Sequence, residues 1–216
     1  MSKDKTNSVV IIDDHPLFRK GVHQLLDLEP ALTVVAEASS GEEGVQLVAQ
    51  HEPDLVLLDL NMKGMGGLKA LEAIKQRNPD IRVVILTVSD TSDDLIGTIR
   101  AGADGYLLKD MEPEELLAHI KEAVFGSTVI APGLAGRLAT ALREEATAKN
   151  RDVNELTERE MQILRGLADG KSNKLIARDL DITEGTVKVH VKHLLRKLNF
   201  RSRVEAAVWM VENRIA

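Results

Sequence analysis

Four short, unbroken aliphatic runs punctuate the first half of the chain, at residues 9–12, 55–58, 83–86 and 106–108, with a weaker one at 34–36. A strand with one wet face alternates apolar and polar residues. An unbroken run instead marks a strand buried on both faces, as in a parallel sheet covered by helices. Helical periodicity fills the intervals, at roughly 16–28, 41–50, 67–77, 92–101 and 113–125, with Gly102 and Gly126 as stops after the last two. Five strands alternating with five helices predict a (βα)5 doubly wound α/β domain. Its ligand site belongs beyond the carboxyl ends of the strands.

The residues at those ends carry chemistry. The first run leads into Asp13 and Asp14, the third into Asp59, the fourth into Thr87 and the fifth into Lys109. Clustered carboxylates repel unless a hard cation neutralises them, and oxygen ligands with room for water suit Mg²⁺. One carboxylate is then placed to attack a phosphoryl group, with metal, hydroxyl and ammonium stabilising charge on the transferred oxygens.

Charge divides the chain. Residues 1–150 hold 15 basic and 24 acidic side chains, residues 151–216 hold 13 and 10, and within 171–203 the ratio is nine to three. An acidic front and a basic stripe behind it predict two domains, the second with an anionic partner. With no cysteine, thiolate metal sites and cysteine nucleophiles are excluded. The longest apolar run is six residues, too short for a bilayer. The polar start, residues 1–8, lacks a signal segment, so a cytoplasmic protein without membrane contact is expected.

Residues 134–145 have helical spacing, and 144–154 are polar without a periodic face, which reads as a short helix and a flexible tether. Three regions are therefore expected: 1–127, a linker at 128–152, and an all-α domain at 153–216. In the last, Thr157 and Glu160 form a capping box, and Ser202 and Glu205 repeat the device. A helix from Ser172, a turn at 181–183 and a longer helix over 184–198 make a helix-turn-helix. On the longer helix Val187, Val191, Leu194, Leu195 and Leu198 share one arc. Lys188, Lys192, Arg196 and the apolar Val189 lie opposite. In a major groove lysine can donate to guanine and valine can touch a thymine methyl. Lys174 and Arg178, with Lys171, Arg201 and Arg203, suit phosphates.

The set Asp13, Asp14, Asp59, Thr87 and Lys109, with Gly-Ala-Asp-Gly-Tyr at 102–106, resembles the receiver domain of bacterial two-component response regulators. Leu-Thr-Glu-Arg-Glu at 156–160 and Ile-Thr-Glu-Gly-Thr-Val-Lys-Val-His-Val-Lys-His-Leu at 182–194 resemble the LuxR/NarL-type helix-turn-helix. The stretches at 108–115 and 187–193 are most similar to its nitrate/nitrite-responsive branch. The resemblance implies that a sensor histidine kinase phosphorylates Asp59. Mg²⁺ would sit on Asp13, Asp14, Asp59 and the Asn61 carbonyl, and Thr87, Lys109 and Tyr106 would respond to the phosphoryl group. Lys188, Val189 and Lys192 would read bases, and Val204, Ala207, Val208 and Val211 would pair two copies on DNA. The implied function is a phosphorylation-switched transcription factor, with no enzymatic activity beyond its own phosphoryl chemistry. The alternative is a phosphotransfer enzyme using Asp59 as nucleophile, with a basic substrate-docking domain. Two departures from the receiver pattern stand out: Lys63 replaces a common proline, and Lys109 is followed by Asp110 rather than proline.

Overall fold

The structure is a computed structural model that describes residues 6–146 and 155–212, without the side chains of 141–146. Most of the expected tether, and residues 1–5 of the polar start, lie outside the described residues. The strands are β1 (Asn7–Ile12), β2 (Leu32–Ala38), β3 (Leu55–Leu58), β4 (Arg82–Thr87), β5 (Gly105–Leu108) and β6 (Val129–Ile130). They form one parallel sheet in the order β2-β1-β3-β4-β5-β6. The chain runs outward one way from β1 to β2 and the other way from β3, so the switch point lies between β1 and β3.

Both faces of the sheet are buried, as the unbroken runs require. On one face Val9, Ile11, Leu55, Leu57, Val84 and Leu86 meet α1 (Pro16–Asp27) and α5 (Pro113–Val124). On the other, Val10, Ile12, Val56, Leu58 and Ile85 meet α2 (Gly41–His51), α3 (Gly67–Arg77) and α4 (Ser92–Arg100). Proline opens α1 and α5 at positions that need no backbone donor. Gly67 is required by a close approach: a Cβ there would lie 2.1 Å from the Asp59 carbonyl oxygen.

One difference from the sequence expectation is the sixth strand, which falls in the segment read as linker. It is two residues long, too short for any periodicity to show, yet Val129 pairs with Gly105 and Ile130 with Tyr106. α6 (Leu134–Ala146) follows, and its Leu134 and Leu138 are buried in the sheet's core.

The second unit comprises α7 (Glu158–Ala168), α8 (Asn173–Asp179), α9 (Glu184–Lys197) and α10 (Arg203–Glu212). Its core joins Ile163, Leu164 and Leu167 to Ile176, Val187, Leu194, Leu198, Ala206 and Trp209. The capping box forms: Thr157 N–H donates to Glu160 Oε2 at 2.9 Å and Glu160 N–H to Thr157 Oγ1 at 3.2 Å. Lys197 Nζ reaches the same carboxylate at 2.7 Å. Burial raises the Glu160 pKa, but the Lys197 and Thr157 hydrogen bonds outweigh it and hold the carboxyl below its ordinary value. The second device differs in detail. Ser202 Oγ accepts from Glu205 N–H at 3.1 Å, and the Glu205 carboxylate accepts the N–H of Arg201 at 2.8 Å.

The two units meet through α10, which lies against α6 and α4. Val204 is 1% exposed within the sheet's own core cluster, and Val208 packs on it. At the same junction Arg203 faces Arg82 and Asp104. Burial and the Arg82 charge push the Arg203 guanidinium down to about 10 against the pull of Asp104. Gly126, at φ +99°, approaches Ser172 so closely that a Cβ would lie 2.7 Å from the serine Cβ.

Candidate functional site

At the switch point β1 delivers Asp13 and Asp14 and β3 delivers Asp59, beside the ends of β4 and β5. Asp13 is 2% exposed, Asp59 1% and Thr87 fully buried. Lys109 Nζ sits between the carboxylates, 2.8 Å from Asp13 Oδ2 and 2.9 Å from Asp59 Oδ2, and over the Phe18 ring. His15 joins the group: its N–H donates to Asp13 Oδ1 at 2.8 Å and its Nδ1 lies 3.0 Å from Asp14 Oδ1. Ligand atoms of Asp13, Asp14, His15 and Asp59 all fall within 4.8 Å of one another.

Both Asp59 oxygens and Asp14 Oδ1 are buried without an aligned hydrogen-bond donor. Buried carboxylate oxygens left this way are costly. The all-oxygen donor set among the aspartates fits a hard divalent cation.

Thr87 and Tyr106 are linked beyond the carboxylates. Thr87 Oγ1 accepts from Asn61 Nδ2 at 3.3 Å and from Ser89 N–H at 3.2 Å. Tyr106, fully buried, donates its hydroxyl to the Ser89 carbonyl at 2.8 Å, and burial pushes its pKa up to about 12. Ser89 Oγ in turn donates to Asp94 on α4. Ser89 and His15 are absent from the sequence reading. Their signal is positional, two residues after Thr87 and one after the acidic pair, and it needs the fold to be visible. The Asn61 side chain turns to Thr87, and Lys63 is exposed with its backbone N–H 3.4 Å from Asp14 Oδ2. The Lys109–Asp110 peptide is trans.

The basic face is assembled on α8 and α9. Lys188, Lys192, Arg196, Lys174 and Arg178 are exposed, and Val189 is 52% exposed. Lys174, Lys188, Val189 and Lys192 line a cleft of about 1640 Å³ between the two units, whereas Arg178 and Arg196 do not. Two expected phosphate contacts are engaged otherwise. Lys171 pairs with Asp169 and Asp179, and Arg203 donates to the Lys171 carbonyl at the junction. The residues expected to pair two copies divide here. Val204 and Val208 pack on the sheet's cluster, Ala207 on the helical core, and Val211 is 61% exposed.

Residues 9–121 match the response regulator receiver domain family, and residues 154–210 match the bacterial regulatory proteins of the luxR family. The chain is 50% identical over 215 residues to the nitrate/nitrite response regulator protein NarL of Escherichia coli, covering all of both chains. It is 49% identical over 208 residues to NarP of the same organism, covering 95% of each. Among solved structures, the response regulator ChrA of a heme-sensing two-component system aligns with a TM-score of 0.52 at 34% identity, over 98% of this chain and 99% of that one. The chain, with its acidic pocket at the sheet's switch point and its exposed basic helical face, is matched along its full length by such relatives, and it belongs to the luxR family of two-component response regulators.

Proposed function

We propose that this chain is a phosphorylation-activated transcription factor in which Asp59 controls access to the reading helix α9. The observation that carries the proposal is the shared cleft. Lys188, Val189 and Lys192 line it together with Glu72, Gln76 and Asp80 of the receiver. In this arrangement the receiver occupies space that DNA requires.

A sensor histidine kinase would supply the phosphoryl group. An Asp59 carboxylate oxygen attacks phosphorus, the new O–P bond forms, and the donor's P–N bond breaks with the electron pair leaving on the imidazole. Asp13, Asp14, Asp59 and the Asn61 carbonyl would hold Mg²⁺, which supplies charge neutralisation for the transferred oxygens. Lys109 pairs with the phosphoryl oxygens, and Thr87 exchanges its Asn61 and Ser89 contacts for one to the phosphoryl group. Because Ser89 ties Thr87 to Tyr106 and to Asp94, that exchange pulls on α4, against which α10 is docked.

Once α10 leaves the receiver, Val204, Ala207, Val208 and Val211 become available to pair two copies. Lys188, Val189, Lys192 and Arg196 then read the groove while Lys174 and Arg178 hold phosphates. We divide the chain as receiver 1–127, linker 128–152 and reader 153–216, with turnover confined to the chain's own phosphoryl group. The NarL and NarP likenesses support the reading that its target genes respond to nitrate or nitrite. No helix among the described residues is long and apolar enough to cross a membrane, and a DNA reader of this family works in the cytoplasm. Labelling with acetyl phosphate and Mg²⁺ tests the chemistry. The label is expected on Asp59 and lost in Asp59→Asn; a label that survives this substitution contradicts the assignment.

A further inference from the structure

The cleft walls carry opposite charge. On the receiver side Glu52, Glu72 and Asp80 are exposed, line the cleft, and have no ion-pair partner among the described residues. Asp54 lines it too, held by the Ser8 backbone and hydroxyl. The basic groups of that wall are already committed. Lys75 bonds Asp104 and the Ile81 carbonyl, and Arg82 donates to the Ser127 carbonyl. On the reader side Lys174, Lys188, Lys192 and Arg201 are exposed and line the cleft, against the single carboxylate of Glu184.

We propose that Glu52, Glu72 and Asp80 form an acidic wall that stands in for DNA phosphates opposite the reading helix, so that charge helps hold the chain closed and salt helps release it. The inference rests on the closed-cleft reading of the function and adds a force to it. The α10 contact with α4 and α6, through Val204 and Val208, is apolar and supplies one part of the closure; the charged walls supply the part that salt weakens. The wall instead acts on the lysines that DNA would take. A Debye length is about 10 Å at 0.1 M salt and about 3 Å at 1 M. Charges on the two walls of one cleft attract one another in dilute salt and lose most of that attraction in concentrated salt. The wall therefore competes for the same cations by the same long-range interaction that draws DNA to them.

The test is Glu52→Gln, Glu72→Gln and Asp80→Asn together in the full, unphosphorylated chain. The comparison is a control of equal charge, Glu112→Gln, Glu114→Gln and Glu115→Gln, at the exposed start of α5, whose cleft-lining residues lie at its other end. Exposed charges of this kind each shift an equilibrium about two- to fivefold, so the wall variant is expected to raise DNA affinity about tenfold at 0.1 M salt and the control by much less. Small-angle X-ray scattering should show the wall variant already extended at 0.1 M salt, and the wild type extending as salt rises. Phosphodonor added to the wild type runs alongside. If it raises DNA affinity while the wall variant scatters and binds as wild type, or if the control gains as much, the acidic wall is wrong and the phosphorylation switch stands. If phosphodonor does nothing while the wall variant opens, the wall stands and the switch fails.

Discussion

Lys109 Nζ lies 2.9 Å from Oδ2 of Asp59, on a side chain 6% exposed, and the same ammonium is 2.8 Å from Asp13. One buried cation thus balances two buried carboxylates at the proposed phosphoacceptor. Removing one partner of a buried pair typically costs about 3–5 kcal/mol. Lys109→Ala is expected to lose stability of that order in chelator-treated buffer and to regain part of it with Mg²⁺, which takes over the neutralising role. Urea denaturation with and without Mg²⁺ measures both; equal losses in the two buffers would show that the pocket does not take the cation.

The capping box of α7 predicts a pH effect with a definite sign. Glu160 is held below its ordinary pKa in the folded chain. Its contribution is therefore present above the unfolded value, about 4.3, and is lost as pH falls through the folded one. Glu160→Gln should cost about 1 kcal/mol at pH 7 and distinctly less near pH 3. Trp209, the only tryptophan, lies in the helical core and reports this domain by fluorescence.

The exposed basic face of α8 and α9 makes separable predictions. Lys188→Ala and Lys192→Ala should each lose about 1–3 kcal/mol of specific affinity in the phosphorylated chain. Lys174→Ala and Arg178→Ala should weaken binding to all sequences alike and lower the salt slope by about one each. Binding to specific and unrelated duplexes over a salt series separates the two classes.

Gly126 offers a steric test of the junction. Gly126→Ala places a methyl 2.7 Å from the Ser172 Cβ at a residue with φ +99°. About 1 kcal/mol of backbone cost follows in the receiver, and the serine must move away. Unphosphorylated Gly126→Ala should bind DNA more tightly than wild type, with no change once phosphodonor is present; equal binding in both states would mean the contact does not hold the units together.

The extent to which the fold was legible follows from where its information lies. Runs such as Leu55 to Leu58 announce double-sided burial locally, so five strands, their helices and the carboxylates at their ends are readable in sequence. β6 is not, because Val129 and Ile130 become a strand only through their pairing with β5. Val204 shows the same limit. Its spacing on α10 marks an apolar face, but burial against the receiver depends on docking between distant segments. Ser89 and His15 are ordinary polar residues until Thr87, Tyr106 and the acidic pair are brought beside them.

The central claim is that modification at Asp59 governs access to α9. The most direct measurement is the affinity of the full chain for its operator with and without beryllofluoride and Mg²⁺, read by footprinting. Strong protection of paired half-sites about one helical turn apart, or a multiple of it, is predicted only when both are present. Equal protection in their absence would contradict the account.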